Sequence, residues 1–195
     1  RPLPAREVPT RPAETPPPVV FGSGLICTTD GHLFTNHHVI AGAKKVFVVR
    51  YINRELVSKL PAQVVAADAR LDLAILRVEG WAPPAGLPAS APALVSSTSV
   101  KLGDEVFVLG FPLPGTVSSN VKFTRGSISD TAGLADDISR IQHTAQIQPG
   151  NSGGPMYDPE TGKVLGVINM VFVKGAKEAA LSQPSGISYA IPAKH

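Results

Sequence analysis

Three side chains in this sequence have the types and surroundings needed for acyl transfer. Ser152 stands in Pro149-Gly150-Asn151-Ser152-Gly153-Gly154-Pro155. Three glycines around one serine permit backbone angles closed to other residues and let a carbonyl approach the main chain. The turn residues Gly150, Asn151 and Ser152 form a candidate oxyanion hole. In it the N–H groups of Gly150 and Ser152 converge where charge develops in a tetrahedral intermediate. A serine hydroxyl at its ordinary pKa is a weak nucleophile; it needs a base, and the base needs an orienting acid. His38, within Thr35-Asn36-His37-His38-Val39-Ile40, and Asp72, heading Leu73-Ala74-Ile75-Leu76, are the candidates for those parts. An aspartate at the head of an apolar strand needs partners that offset burial, and an imidazole N–H is one. Taken singly, each residue also has a plainer structural reading: a glycine-rich β-turn, a satisfied core histidine and a strand-initiating turn residue.

Side chains spread over more than a hundred positions must be brought together by rigid elements, and the elements on offer are strands. Short β-branched or aliphatic runs bounded by turn residues fall at 46–49, 63–67 and 73–78, and again at 105–109, 127–128, 164–173 and 186–191. His38 lies where a strand meets one helical turn ending at Gly42, and residues 174–181 read as a short helix or loop. The nineteen prolines punctuate this pattern. Seven lie in residues 1–18, which read as an extended or disordered polyproline-like arm. Four more lie between Trp81 and Pro92, so residues 81–95 read as a linker. The expected organisation is thus an arm at 1–18, β blocks at 19–80 and 96–192, and a C-terminal edge at 193–195. Many short strands in two blocks imply two packed β-barrels.

Composition removes several other classes. The net charge is +3, but the basic residues are scattered, with Lys44-Lys45 the tightest cluster. A nucleic-acid partner is not expected, because its readers carry basic stripes interleaved with aromatics. No apolar run approaches the roughly 18 residues of a membrane span, so no membrane insertion is expected. The single cysteine, Cys27, excludes an internal disulfide and a multi-cysteine zinc site, and its apolar neighbours suggest a buried, inert thiol. His37, His38 and His143 fall into no H-x-x-x-H spacing, so neither metal nor cofactor is expected. The chain starts at Arg1, which reads as a processed piece.

The order histidine, aspartate, serine, with TNHHV, DLAIL and GNSGGP around them, resembles the trypsin/chymotrypsin-like serine proteases, and among them the HtrA/DegP-like branch. Residues 162–169 and 185–192 are similar to the cleft-lining and closing strands of HtrA protease domains, so the resemblance covers residues 19–192. It implies two packed six-stranded antiparallel barrels with the active site in the cleft between them. It implies Ser152 as nucleophile, His38 as base and Asp72 as its orienting acid. His38 is preferred over His37 because the family histidine directly precedes a Val-Ile/Val pair. The implied activity is a serine endopeptidase that cleaves unfolded or extended polypeptides through an acyl-enzyme. The alternative is a silent pseudoprotease of the same fold, used as a scaffold. A cell-envelope, periplasmic or secreted location is implied by the family.

Departures from the digestive enzymes refine these expectations. Trypsin-like zymogens carry aspartate before the nucleophile, and it pairs with a new N-terminal amine; Asn151 cannot form that ion pair. In HtrA relatives the same loop can rest with a flipped peptide. Gln146, six residues before Ser152, stands where trypsin has its acidic pocket floor, so a basic P1 side chain is disfavoured. With Ile147, Asn169, Met170, Val171 and Gly186 as the other substrate-binding residues, a small or medium apolar P1 is expected. His143 admits a second, glutamate-binding reading. Residues 169–172 are expected to pair with substrate as an edge strand. HtrA proteins usually continue into PDZ domains and often form trimers through aromatics near the N-terminus; this arm has no aromatic before Phe21.

Overall fold

The computed structural model describes residues 19–53, 55–83, 100–112, 120–133, 136–169 and 188–193. Its elements are Leu25–Ile26 (β1), His32–Thr35 (β2), His37–Ile40 (α1), Val46–Ile52 (β3), Glu55–Asp68 (β4) and Leu73–Val78 (β5), then Glu105–Gly110 (β6), Lys122–Asp130 (β7), Ile141–His143 (β8), Pro155–Tyr157 (β9), Val164–Asn169 (β10) and Ser188–Pro192 (β11). The strands form two antiparallel units, as the all-β reading requires. The second is a closed six-stranded barrel, β10-β11-β8-β7-β6-β9. The first differs from the expected six strands: among the described residues it is a five-stranded sheet, β1-β2-β5-β4-β3, whose outer strands are not joined. With only two residues, β1 offers too short an edge to carry the sheet round to β3.

Strand alternation builds both cores. Along β5, Ala74, Leu76 and Val78 point inward and are almost fully buried, and along β6 Val106 and Val108 do the same. Met156 of β9 and Ile168 of β10 have no exposed surface and sit at the centre of the second barrel. Each of these Val, Leu, Ile and Met side chains contributes about 1.5–3 kcal/mol by leaving water. The first core is smaller, with Leu33, Leu76 and Val78 covered by Val46, Val48, Leu60 and others. Trp81, expected to open an unstructured linker, instead packs on this core and donates its indole N–H to the Thr29 carbonyl (3.2 Å).

Several expectations lie outside the described residues: the arm at 1–18, the linker beyond Pro83, the short element at 174–181, and the parts of the last two strand runs at 170–173 and 186–187. Among the described strands, β7 runs from 122 to 130 rather than 127–128 alone, because only Ile128 of its nine residues is buried and the polar remainder hides the alternation. β9 was not expected at all. Proline opens it, which is tolerated at a strand start, and its Met156 and Pro155 pair with Gly166 and Val167 of β10.

Candidate active site

Asp72 is the most heavily bonded side chain of the site. It occupies the tight connection leading into β5, with φ +56. Its Oδ2 meets His38 Nδ1 at 2.6 Å, and its Oδ1 accepts the His38 backbone N–H at 2.7 Å. The amide of Asn169, at the end of β10, donates to the same Oδ2 at 2.9 Å. The Asp72 carbonyl is used as well, accepting from the His37 N–H (3.1 Å) and from Asn36 Nδ2 (3.0 Å). Burial works against the charge on Asp72, yet the two His38 hydrogen bonds, aided by the His38 and Arg140 charges, outweigh it and hold the carboxyl below its ordinary range. The carboxylate therefore clamps both ends of His38, ring and main chain. The ring itself remains substantially exposed, with 42% of the side chain open to solvent against 14% for Asp72.

The helical turn α1 that carries His38 has Asn36 at its N-cap, but the Asn36 side chain makes no capping bond. Its amide is diverted to Asp72, which ties the start of α1 to the head of β5.

Ser152 is reached from the other unit. Its turn is seated on β10, with Gly153 N–H donating to the Ile168 carbonyl (2.9 Å) and Ile168 N–H to the Gly154 carbonyl (2.8 Å). Gly153 has φ +88, and a Cβ there would lie 2.2 Å from the Ser23 carbonyl and 2.4 Å from Thr35 Oγ1, so only glycine fits. Asn151 N–H donates to the Gln148 carbonyl (3.0 Å). That bond takes Asn151 out of the candidate oxyanion donors and leaves the N–H groups of Gly150 and Ser152. The Asn151 side chain is buried with its oxygen against Gly110, where a Cβ would come within 2.6 Å.

Ser23, just before β1, stitches the two units together. Its N–H donates to the Ser152 carbonyl (2.8 Å), and its Oγ donates to the Gly150 carbonyl (2.7 Å). The hydroxyl accepts from Phe111 N–H (2.9 Å), and the Ser23 carbonyl accepts from Thr35 Oγ1 (2.8 Å). Next to it, Gly22 leaves the space through which α1 meets the serine turn: a Cβ there would stand 2.6 Å from Val39 and 3.1 Å from the Ser152 carbonyl. The structure thus joins His38 to Asp72 directly and sets Ser152 beside α1 across Gly22. Among the described residues no hydrogen bond links Ser152 Oγ to the His38 ring.

Of the expected substrate-binding residues, Gln146 is exposed and Ile147 is half-buried against the second core. Asn169 is fully buried and spends its amide on Asp72, so its side chain belongs with the acid rather than with a pocket wall. Met170, Val171 and Gly186 lie outside the described residues. His143 is fully enclosed in the barrel, and burial lowers its pKa to about 4. The Tyr189 and Ala145 main chain opposes that shift, but it falls short of a hydrogen bond to either ring nitrogen. Cys27 is half-buried rather than buried, and burial raises its pKa, which suits an inert thiol. Sequence reasoning missed Ser23, Thr35 and Asn36. Only the glycines flanking Ser23 hinted that this short polar residue sits in a crowded place.

A family model described as a trypsin-like peptidase domain matches residues 22–167, which include the His38–Asp72 pair and the Ser152 turn. The chain belongs to the trypsin-like peptidase family. Within this family it is similar to an uncharacterized protein, y4bJ, of Sinorhizobium fredii, with 42% identity over 75% of this chain and 21% of the relative. It is also similar to a probable periplasmic serine endoprotease, DegP-like, of Rickettsia prowazekii, at 35% identity over 92% of this chain and 33% of the relative. Among solved structures, the HtrA-type protease AlgW with a decapeptide has a TM-score of 0.67 and 31% identity, over 89% of this chain and 48% of that one. This trypsin-like peptidase chain spans about a third or less of the curated relatives it matches and about half of that solved protease.

Proposed function

We propose that this trypsin-like peptidase chain is a serine endopeptidase domain acting on extended polypeptide. Ser152 Oγ attacks the scissile carbonyl while its proton passes to His38 Nε2. The tetrahedral oxyanion is held by the N–H groups of Gly150 and Ser152. Collapse breaks the C–N bond, His38 delivers the proton to the leaving amine, and water hydrolyses the acyl-enzyme by the reverse relay. Asp72 holds the ring with Nδ1–H toward itself, so Nε2 is the free base, and it stabilises the imidazolium that forms. The observation that carries this reading is the doubly clamped His38 on Asp72, beside a serine turn that admits only glycine at its crowded positions. A scaffold has no use for that arrangement. The Ser152–His38 bond is expected to close when substrate excludes water, as catalytic hydrogen bonds commonly do.

Peptide as substrate class is supported by the similar HtrA-type protease AlgW, whose structures are solved with a tripeptide or a decapeptide. The neutral Gln146 favours a small or medium apolar P1 side chain. DegP-like relatives are named periplasmic, which supports a cell-envelope or secreted setting; among the described residues no helix is long and apolar enough to cross a membrane. The test is turnover of denatured casein by the wild type and by Ser152→Ala. A loss of about a millionfold in kcat with an unchanged melting temperature is expected. Persistent hydrolysis in Ser152→Ala would remove Ser152 as nucleophile. Cleavage sites dominated by Lys, Arg or Glu at P1 would overturn the specificity.

A further inference from the structure

We propose that Arg140, a residue outside the triad, reads an acidic side chain of the extended substrate at a position other than P1, through the Nε/Nη2 edge of its guanidinium. This inference deepens the protease reading above and rests on it.

The strands β8, β11 and β10 put Arg140 on the face that carries the site. Ile141, Ala190 and Ile168 lie opposite one another on these strands and point into the second core. Side chains alternate along a strand. The neighbouring row, Gln142, Tyr189 and Asn169, therefore faces outward, and there the Asn169 amide meets Asp72. Arg140 immediately precedes Ile141 and falls on that same outward side. Its charge lies close enough to Asp72 to help hold that carboxyl below its ordinary range. β8 stands between Arg140 and the residues assigned to P1, Gln146 and Ile147, so an acid met by Arg140 belongs to another substrate position.

The side chain is fixed and yet incompletely partnered. Arg140 is 9% exposed, and its Nη1 donates to the Ser139 carbonyl (2.9 Å) and to Ser139 Oγ (3.0 Å). Its base is packed too. The Asp137 carbonyl accepts both the Arg140 N–H (3.1 Å) and the Gly133 N–H (2.8 Å), and a Cβ on Gly133 would stand 2.6 Å from Arg140 Cβ. Among the described residues no carboxylate lies within ion-pair distance of this guanidinium, and no hydrogen bond takes up its Nε or Nη2. Arg50 Nε is unpartnered and sealed from solvent, whereas these two nitrogens of Arg140 stay within reach of it. Nε and Nη2 form the parallel pair of donors that matches the two oxygens of a carboxylate. A nearly buried cation bonded only to neutral oxygens has lost most of its hydration without gaining a counter-charge. Asp72 does not fill that place, because both its oxygens are engaged by His38 and Asn169. A carboxylate on the substrate does.

The experiment uses internally quenched decapeptides that share one apolar P1 residue and carry a single Glu or Gln, walked from P4 to P3′ with P1 left out. The kcat/KM of each is measured for the wild type, Arg140→Gln and Arg140→Lys, beside the melting temperature and fluorophosphonate labelling of each protein. At one position the wild type should prefer Glu over Gln by about tenfold or more, the worth of a charge-assisted hydrogen bond. Arg140→Gln should bring that ratio to about one. Arg140→Lys, which keeps the charge but not the fork, should retain part of it. The walk on the wild type reads the preference even where a variant fails to fold. A wild type that prefers Glu at no position, or a preference that survives Arg140→Gln, would overturn this inference. So would an Arg140→Gln that slows Glu and Gln peptides equally and only shifts the acidic limb of the pH profile, since Arg140 would then serve Asp72 alone. In each of these cases labelling of Ser152 leaves the protease reading standing. A folded wild type that neither labels nor cleaves would contradict both.

Discussion

Asp72 sits at φ +56, a left-handed angle that L-residues avoid but asparagine and aspartate tolerate. That angle turns the chain so that one carboxylate reaches both the ring and the backbone N–H of His38. Asp72→Asn should keep the turn but offer its amide to the wrong face of the imidazole, lowering kcat about 10⁴-fold at nearly unchanged stability. Asp72→Ala should lose similar activity and also about 1 kcal/mol from the backbone angle, melting a few degrees below Asp72→Asn. Calorimetry beside peptide hydrolysis checks the pair, and equal melting temperatures would contradict the role given to the angle. Serine, histidine and aspartate were legible because each stands in a short, distinctive string. The bonds from Asn169 and Asn36 to Asp72, and from Ser23 to Gly150, were not, since they join positions 97, 36 and 127 apart that only the fold makes neighbours.

At the scale of elements, the serine turn is only as well placed as the barrel strands beneath it. Gly126 of β7 lies against the chain that leads from β8 toward Ser152: a Cβ there would stand 2.2 Å from Ala145 N and 2.6 Å from Ala145 Cα. Both contacts are backbone, so β7 and β8 would have to separate. Gly126→Ala should therefore cost about 1–3 kcal/mol, read as a melting temperature lowered by several degrees, with activity reduced alongside. Gly162, at φ +66 with nothing near its would-be Cβ, is the control, and Gly162→Asn should be tolerated. An unaffected Gly126→Ala would show that the strands are not packed as tightly as described. The same strands explain what the sequence disclosed. β5 and β6 bury alternate residues and were legible, β5 end to end and β6 up to its last residue, Gly110, whereas β1 and β9, at two and three residues, are too short to show a period. Of β4 only 63–67, toward its C-terminal end, was recognisable, through its Val64-Val65 pair and not through burial, since those five residues are all exposed.

For the molecule as a whole, His143 sets a pH dependence. Burial lowers its pKa from 6.5 to about 4, so the folded chain holds this ring neutral where the unfolded chain would protonate it. The unfolded state binds the extra proton between those values. Stability is thus fully present above about pH 6.5, falls as the pH drops toward 4, and loses about 3 kcal/mol across that window. His143→Leu should flatten the slope between pH 4 and 6.5 and, by removing two unpartnered buried nitrogens, should not destabilise the chain at pH 7. A slope unchanged by the substitution, in melting temperature against pH, would contradict this. The joint between the two units is the other whole-molecule feature: Ser23 and Thr35 bind the first sheet to the serine turn of the second barrel, so His38, Asp72 and Ser152 meet only if both units fold and dock. The most direct test of that assembled site is intact-mass analysis after fluorophosphonate treatment of the wild type and Ser152→Ala. The site described here predicts one adduct per wild-type chain, on Ser152, and none on the variant. No adduct on a folded wild type, or an adduct that survives Ser152→Ala, would contradict it.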